Sequence, residues 1–143
     1  MYSYNYPRAA LTVDAVVAAR EGGIIRILLI RRKNMPFIHQ WALPGGFINM
    51  DETLAVACKR ELFEETGLEL DNLMFLGIYD APGRDPRGRT ISVVFYQVIE
   101  NCPVILAGDD AENAGWFPAE ELPVLAFDHD RIVGDFLKSR ALT

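Results

Sequence analysis

The hydrophobic pattern of the first thirty residues predicts a β-hairpin. Apolar residues occupy alternate positions over residues 10–19, which is typical of a strand. A turn at residues 21–23 then precedes a nearly continuous apolar run over residues 24–32, which predicts a strand buried on both faces. Basic residues at positions 31–33 end this run, and they are either phosphate contacts or a solvated strand end.

A helix over residues 53–66 has an unusual distribution of charge. At about 100° per residue, Glu61, Glu64 and Glu65 share an arc of about 100° that overlaps the apolar stripe. The acids also lie in the C-terminal half, where the helix dipole disfavours anions. A divalent cation such as Mg²⁺ or Mn²⁺ would compensate for this charge. The alternative is a salt-bridged surface in which Arg60 pairs with Glu64.

The rest of the pattern predicts an α/β sandwich. Gly45 and Gly46 precede the helix and permit close approach of the backbone to a ligand. The later segments predict strands over residues 73–79 and 91–99, loops over 80–90 and 107–115, one helical turn over 118–122 and an amphipathic helix over 128–140. Strands mixed with two separate helices favour helices that cover a mixed sheet.

Composition and charge limit the classes of function that this chain can have, but they do not identify one. The 143 residues fit one domain, preceded by a tail over residues 1–8, and 50% of them are hydrophobic. A net charge of −6 argues against non-specific nucleic-acid binding, but not against a small anionic substrate. We expect no membrane partner and a cytoplasmic location, because no apolar run has membrane-spanning length and no secretory segment opens the chain. Cys58 and Cys102 form no disulfide framework, and Cys58 is expected to be buried.

A spaced motif gives the chemistry a more specific interpretation. Gly46 is followed after five residues by Glu52, and after seven more by RELFEETGL, which ends at Leu68. This spacing resembles the Nudix hydrolase signature at every fixed position. The resemblance implies a single Nudix domain over residues 1–143, an α/β/α sandwich with a mixed β-sheet. It also implies hydrolysis of the diphosphate bond in a nucleoside diphosphate linked to another group.

The same resemblance implies roles for the motif residues. Mg²⁺ or Mn²⁺ is expected on Glu61, Glu64, Glu65 and the carbonyl of Gly45. Arg60 is expected to orient the glutamates, and Glu52 to tie the helix to the loop before it. The general base is left open between a glutamate of this cluster and an acid of the later loop. The loop candidates, which alternatively form a polar turn, are Asp109, Asp110 and Glu112.

Four further segments resemble the ADP-ribose pyrophosphatase branch of the family. They are LPGGF, YDAPGRDPRGRTISVVF, AGDDAENAGWF and LAFDH. This likeness implies hydrolysis of ADP-ribose to AMP and ribose 5-phosphate. Arg84 and Arg87 are then candidates for phosphate or ribose contacts, Asp85 for ribose hydroxyls, and Phe127 for stacking on adenine, with His129 near the pocket. Each of these residues also has a structural explanation, as loop, turn, core or cap.

Two alternatives to this function remain open at the level of the sequence. One is a pyrophosphohydrolase for another nucleotide, such as a (d)NTP or a nucleotide sugar. The other is a non-catalytic domain that senses ADP-ribose, as in regulators that resemble the same branch. Asn49 stands where the branch often has a glutamate, and an amide cannot serve as an anionic ligand or base. Many members of the family are homodimers, and the aromatic tail is compatible with that state.

Overall fold

The structure, a computed structural model, describes residues 3–108 and 111–142. Within these residues, seven strands form one mixed sheet. The strands are β1 (Ala10–Glu21), β2 (Ile24–Arg32), β3 (Trp41–Ala42), β4 (Gly45–Phe47), β5 (Met74–Tyr79), β6 (Thr90–Glu100) and β7 (Ala111–Pro118). The helices are α1 (Leu54–Thr66) and α2 (His129–Lys138), followed by a short 3₁₀ helix at Arg140–Leu142. None of the described helices is long and apolar enough to cross a membrane.

Strand β1 lies at the centre of the sheet and organises its neighbours. The order is β3-β2-β1-β6-β5, while β4 pairs with β1 and β7 pairs with β2. β1 runs parallel to β6, and the other pairs are antiparallel. The first part of β1, at residues 12–14, pairs with β4, whereas its last residues, 18–21, pair with β2. One strand therefore pairs with β4, whose Gly45 and Gly46 we call the glycine segment, and also with the second strand of the opening hairpin.

The two helices cover opposite faces of the sheet. Successive side chains of a strand point to opposite faces, so odd and even positions of β1 separate the two cores. The core under α1 contains Val13, Ala15, Val17, Ala57, Cys58 and Leu62. The core under α2 contains Val16, Ala18, Ile132, Val133 and Phe136. The predicted α/β sandwich with a mixed sheet is therefore confirmed.

Most predicted elements are confirmed, and two are wrong. The hairpin, the acidic helix, the two later strands and the final helix all form, with ends that shift by a few residues. The loop predicted over residues 107–115 is wrong for 111–115, because these residues begin β7 and pair with β2. The helical turn predicted over 118–122 is instead a simple turn, in which Glu121 N–H donates to Pro118 O at 3.0 Å.

The predicted burial of Cys58 is confirmed. Cys58 is 1% exposed, and burial raises the pKa of its thiol to about 12. Cys58 and Cys102 are both free. In the tail, residues 3–9 form no regular element, and Arg8 lies over the Tyr4 ring at 3.9 Å.

Helix α1 has a defined cap at each end. Val56 N–H donates to the hydroxyl of Thr53 at 3.3 Å, which satisfies one of the amides at the N-terminus. At the other end, Gly67 adopts a left-handed conformation with φ 73°, and its N–H donates to Phe63 O at 2.8 Å. A residue with a Cβ is disfavoured in this conformation, so Gly67 fixes where the acidic helix ends.

Two glycine-to-alanine changes should therefore shift stability in opposite directions. We expect Gly67→Ala to lower the free energy of unfolding by about 1 kcal/mol, because a Cβ is strained at this backbone conformation. The matched control is Gly134→Ala within α2, where an added Cβ meets no atom within 4 Å. That change should raise the free energy of unfolding by about 0.5–1 kcal/mol through helix propensity. Urea denaturation measures both, and equal signs would contradict the assignment of the cap.

Candidate active site

The glycine segment lies directly against the acidic helix. Gly45 N–H donates to the carboxylate of Glu65 at 2.7 Å. A Cβ on Gly46 would lie 2.7 Å from the Glu61 carboxylate, and a Cβ on Gly45 would lie 2.2 Å from Val13 O. Neither position accommodates a side chain without movement. The two glycines therefore allow β4 to pass between the acids of α1 and strand β1.

Arg60 holds three carboxylates at once. Its Nε and Nη2 donate to both oxygens of Glu52, at 2.6 and 2.9 Å. Its Nη1 donates to Glu61 at 2.9 Å and to Glu64 at 3.2 Å. The hydrogen bond with Glu52 is the main cause that raises the pKa of Arg60, and it lowers the pKa of Glu52. Glu52 also accepts the N–H of Asn49 at 2.8 Å, so it connects the helix to the loop before it.

The donor set on α1 fits a hard divalent cation. Glu65 is 5% exposed, Glu61 is partly buried and Glu64 is exposed, so the acids extend from the core edge to the surface. Within residues 3–108 and 111–142, no three metal-ligating side chains converge. Arg60 binds Glu61 and Glu64, and the amide of Gly45 binds Glu65. Carboxylate and carbonyl oxygens are nevertheless the ligands that Mg²⁺ and Mn²⁺ prefer.

Two adjoining cavities meet at this helix. We call the first the glutamate cavity, because Glu61 and Glu65 line it together with Lys33 and Asn34. The second is the arginine cavity, lined by Thr12, Asp14, Arg32, Arg84, Phe127 and His129 among others. Both cavities share Ile30, Arg32, Gly45, Gly46, Phe47, Glu65 and Arg87. A ligand that spans them would contact the acids at one end and the guanidinium groups at the other.

Two guanidinium groups lie close to one aromatic ring in the arginine cavity. Arg32 lies 5.0 Å and Arg87 lies 5.6 Å from the centroid of the Phe127 ring, and Arg87 also lies 4.8 Å from that of Phe47. Burial is the main cause that lowers the pKa of Arg32, and the charge of Arg87 adds to it. Two neighbouring cations of this kind favour an anionic ligand. Of the basic residues at the end of β2, Arg32 lines both cavities and Lys33 lines the glutamate cavity, and a phosphate contact by either stays a prediction.

Arg84 and Asp85 line the cavity but already have partners within the chain. Arg84 donates to both oxygens of Asp128, at 2.9 and 2.6 Å, and its side chain is 4% exposed. Both oxygens of Asp85 accept from Arg87, one of them at 2.7 Å. Burial alone would raise the pKa of Asp85, but the hydrogen bonds from Arg87 outweigh it and lower that pKa. Substrate contacts by Arg84, Asp85 and Arg87 stay predictions.

His129 is a buried wall of the cavity. Its Nδ1 accepts the backbone N–H of Leu43 at 3.0 Å, so in the neutral ring the proton lies on Nε2. Burial is the main cause that lowers the pKa of His129, which favours this neutral form. Nε2 points toward Asp14, whose Oδ1 is 3.7 Å away. Phe127 precedes this residue by two positions with φ 54°, and it packs edge-on against Phe37.

The sequence did not identify Asp14 as a site residue. Asp14 is 6% exposed, lines the arginine cavity and accepts a hydrogen bond from the hydroxyl of Ser92. The sequence feature that indicates Asp14 is its position as an acid in the middle of an apolar strand. The alternating pattern drew attention to the odd positions of β1, whereas Thr12 and Asp14 occupy even positions on the opposite face.

The candidate bases of the later loop have different positions. Glu112 lies in β7 and lines neither cavity. Its carboxylate is bound by His39 at 2.8 Å and by Arg31 at 3.5 Å. Asp109 and Asp110 lie outside the described residues. Their roles, and that of Glu112, stay predictions.

Comparison with known proteins agrees with the fold and the acidic helix. Residues 8–138 match the NUDIX domain family. An ADP-ribose pyrophosphatase from Methanocaldococcus jannaschii is 44% identical over 133 residues, which cover 93% of this chain and 76% of that protein. The chain therefore belongs to the Nudix family, and its likeness to the ADP-ribose pyrophosphatase branch is confirmed.

Two solved structures extend the comparison. The NUDIX domain of Shewanella oneidensis NrtR, complexed with ADP ribose, matches at TM-score 0.84 and 30% identity, covering 96% of this chain and 91% of that one. A bifunctional NMN adenylyltransferase/ADP ribose pyrophosphatase from Francisella tularensis, complexed with AMP and a Mn ion, matches at TM-score 0.82 and 35% identity. That match covers 94% of this chain and 43% of the longer protein.

The buried, neutral His129 should make stability depend on pH. Its folded-state pKa is lowered, so the unfolded state binds the proton more readily, and stability falls as pH drops below about 6.5. We expect wild-type protein to lose up to ~1.4 kcal/mol more per pH unit than His129→Asn, whose amide oxygen can still accept from Leu43 N–H. Urea denaturation between pH 7.5 and 5 measures the difference, and carboxylates common to both proteins cancel. Parallel curves would contradict a buried neutral ring.

Proposed function

We propose that this Nudix protein hydrolyses ADP-ribose to AMP and ribose 5-phosphate with Mg²⁺ or Mn²⁺ held by α1. The observation that carries the proposal is that the glutamate and arginine cavities share Glu65, Arg32 and Arg87. Cleavage of a diphosphate requires cation-binding acids and positive charge around the same group. The ADP-ribose pyrophosphatase at 44% identity supports the choice of substrate.

Arg32 and Arg87 are the proposed contacts of the diphosphate. One N–H of Arg32 donates to Pro36 O at 2.7 Å, which fixes the direction of the guanidinium. Arg87 is fixed in the same way by Asp85. Positively charged groups that are already oriented stabilise phosphate charge without further reorganisation. The two arginines would therefore neutralise charge that otherwise repels an attacking water molecule.

The proposed ligands of the cation are Glu61, Glu64, Glu65 and the carbonyl of Gly45. When bound, the cation would neutralise phosphate oxygens and lower the pKa of a bound water. Arg60 holds Glu61 and Glu64 in position, and its position argues for orientation rather than substrate contact. The Francisella protein, an NMN adenylyltransferase/ADP ribose pyrophosphatase, is complexed with a Mn ion, which supports a divalent cation as the cofactor.

The proposed reaction is attack of water on one phosphorus atom. A bond forms between the water oxygen and phosphorus, and the bridging oxygen leaves with the other phosphate. A carboxylate takes the proton released by the water. We assign this role to a glutamate of α1, because Glu61 and Glu65 line the cavity whereas Glu112 does not.

A sensor of ADP-ribose is the second candidate function. The Shewanella domain complexed with ADP ribose has the same fold, so this ligand fits such a domain. This chain keeps every acid of the Nudix motif, Glu52, Glu61, Glu64 and Glu65, and Arg60 connects three of them. The single charge of Arg60 offsets only part of these four negative charges, so the arrangement favours a bound cation and hence the enzyme.

A substrate panel separates these functions. We expect release of AMP from ADP-ribose with Mg²⁺ or Mn²⁺, and loss of activity with EDTA. The panel includes dNTPs and nucleotide sugars at equal concentration. Turnover confined to a dNTP would refute the choice of ADP-ribose. Absence of turnover with tight binding of ADP-ribose in calorimetry would establish the sensor instead.

Isosteric changes on α1 test the cation ligands. We expect Glu64→Gln and Glu65→Gln each to reduce kcat by ~10²-fold or more, because a neutral amide is a poor ligand for Mg²⁺. Glu69→Gln removes the same charge from an exposed position after the helix, and it should leave kcat unchanged. If Glu64 only pairs with Arg60 on the surface, Glu64→Gln would change neither kcat nor, beyond about 0.5 kcal/mol, stability.

A further inference from the structure

Asp14 presents a carboxylate oxygen to the arginine cavity. The side chain lies in β1, is 6% exposed, and lines the cavity beside His129. Its Oδ2 accepts the hydroxyl hydrogen of Ser92. Its Oδ1 lies 3.7 Å from Nε2 of His129, which is longer than a hydrogen bond. No fully buried side-chain nitrogen or oxygen of the described residues lacks a hydrogen-bond partner, so Oδ1, which has no close donor, is open to the cavity. A donating ligand in the cavity can therefore reach it.

Two other carboxylates, that of Asp85 in the cavity wall and that of Asp128, which binds the cavity residue Arg84, already accept from donors of the chain. Both oxygens of Asp85 accept from Arg87, and both oxygens of Asp128 accept from Arg84. Within the described residues, Asp14 therefore has more remaining acceptor capacity than these two acids. A role in accepting ribose hydroxyls, which the sequence suggested for Asp85, fits Asp14 better.

The neighbouring histidine defines what kind of group fits. Because Nδ1 of His129 accepts from Leu43, its Nε2 carries the hydrogen of the neutral ring, and both His129 and Asp14 line the cavity. The donor and the acceptor lie 3.7 Å apart, too close for an oxygen atom between them, so a bridging oxygen would contact both from the cavity beside the pair. A hydroxyl can donate to the carboxylate and accept from the imidazole at the same time, whereas the amino group of adenine can only donate. A phosphate would be repelled by Asp14.

We propose that Asp14 and His129 bind one sugar hydroxyl of the substrate, which donates to Asp14 Oδ1 and accepts from His129 Nε2–H. This inference rests on the proposed function, because it assumes that ADP-ribose occupies the arginine cavity. Asp14 would then determine specificity through direct contact with a ribose hydroxyl and would not take part in the reaction at phosphorus. The pair distinguishes substrates by the presence of a hydroxyl at one position.

The test compares analogues of ADP-ribose on wild-type protein and Asp14→Asn. The analogues each lack one hydroxyl of either ribose, and IDP-ribose lacks the amino group of adenine. We expect one deoxy analogue to lose ~10–100-fold in kcat/KM on wild-type protein, as for a hydrogen bond to a charged group. On Asp14→Asn that loss should shrink to about 3-fold or less, because the charged acceptor is gone. IDP-ribose should be affected equally in both proteins.

Ser92→Ala is the matched control, because it removes the partner of Asp14 and keeps the carboxylate. It should retain the wild-type discrimination between ADP-ribose and the deoxy analogue. An identical loss for Asp14→Asn and wild-type protein would overturn the proposal, and so would a loss seen only with IDP-ribose. If Asp14→Asn does not fold, the wild-type series still decides, since equal rates for every deoxy analogue would overturn it.

If the proposed function is wrong, the result differs from that expected when only the Asp14 contact is wrong. In that case wild-type protein turns over no ADP-ribose with any divalent cation. Calorimetric binding of the same analogues then tests Asp14 independently of catalysis. A ~10-fold weaker binding of one deoxy analogue to wild-type protein but not to Asp14→Asn would support the contact. Equal binding of all analogues would overturn it.

Discussion

The structure depends on one guanidinium group that neutralises the acids of α1. The carboxylates of Glu61 and Glu64 repel each other and face an unfavourable helix dipole. Arg60 contacts both, and it also binds both oxygens of Glu52, which lies just before the helix. The planar fork of an arginine can serve these groups together, whereas the single ammonium group of a lysine cannot. The helix therefore presents acids to a cavity without losing its position.

The same helix is connected to the sheet and to α2 through the glycine segment. Gly45 binds Glu65, and Leu43, two residues earlier, donates to His129 at the start of α2. Asp128, the residue just before α2, binds Arg84, which lines the arginine cavity. A shift of the glycine segment would therefore disturb contacts with α1 on one face of the sheet and with α2 on the other. The acids that would bind a cation and the residues that line the arginine cavity are fixed by one continuous set of contacts.

The sequence predicts the acidic helix well and the walls of the cavity poorly, for a physical reason. The helix is defined by local spacing, which is visible over a few turns. The contacts that shape the cavity join distant residues: Arg84 and Asp128 are 44 positions apart, Asp14 and Ser92 are 78, and Leu43 and His129 are 86. No local pattern specifies such pairs. Strand β7 was missed because its first residues are polar or small and do not alternate.

The residues that would carry out the reaction are defined by local sequence, whereas those that would select the substrate are brought together by distant contacts. The acids of α1 suit any substrate with a diphosphate and a bound cation, so they do not distinguish ADP-ribose from a dNTP. Selection is therefore expected from the arginine cavity, where two guanidinium groups lie 5.0 and 5.6 Å from the centroid of the Phe127 ring. The carboxylate of Asp14, which lines that cavity, would repel a third phosphate and would accept a hydrogen bond from a hydroxyl. The chain thus combines acids encoded within one helix with a cavity whose lining comes from six separate segments.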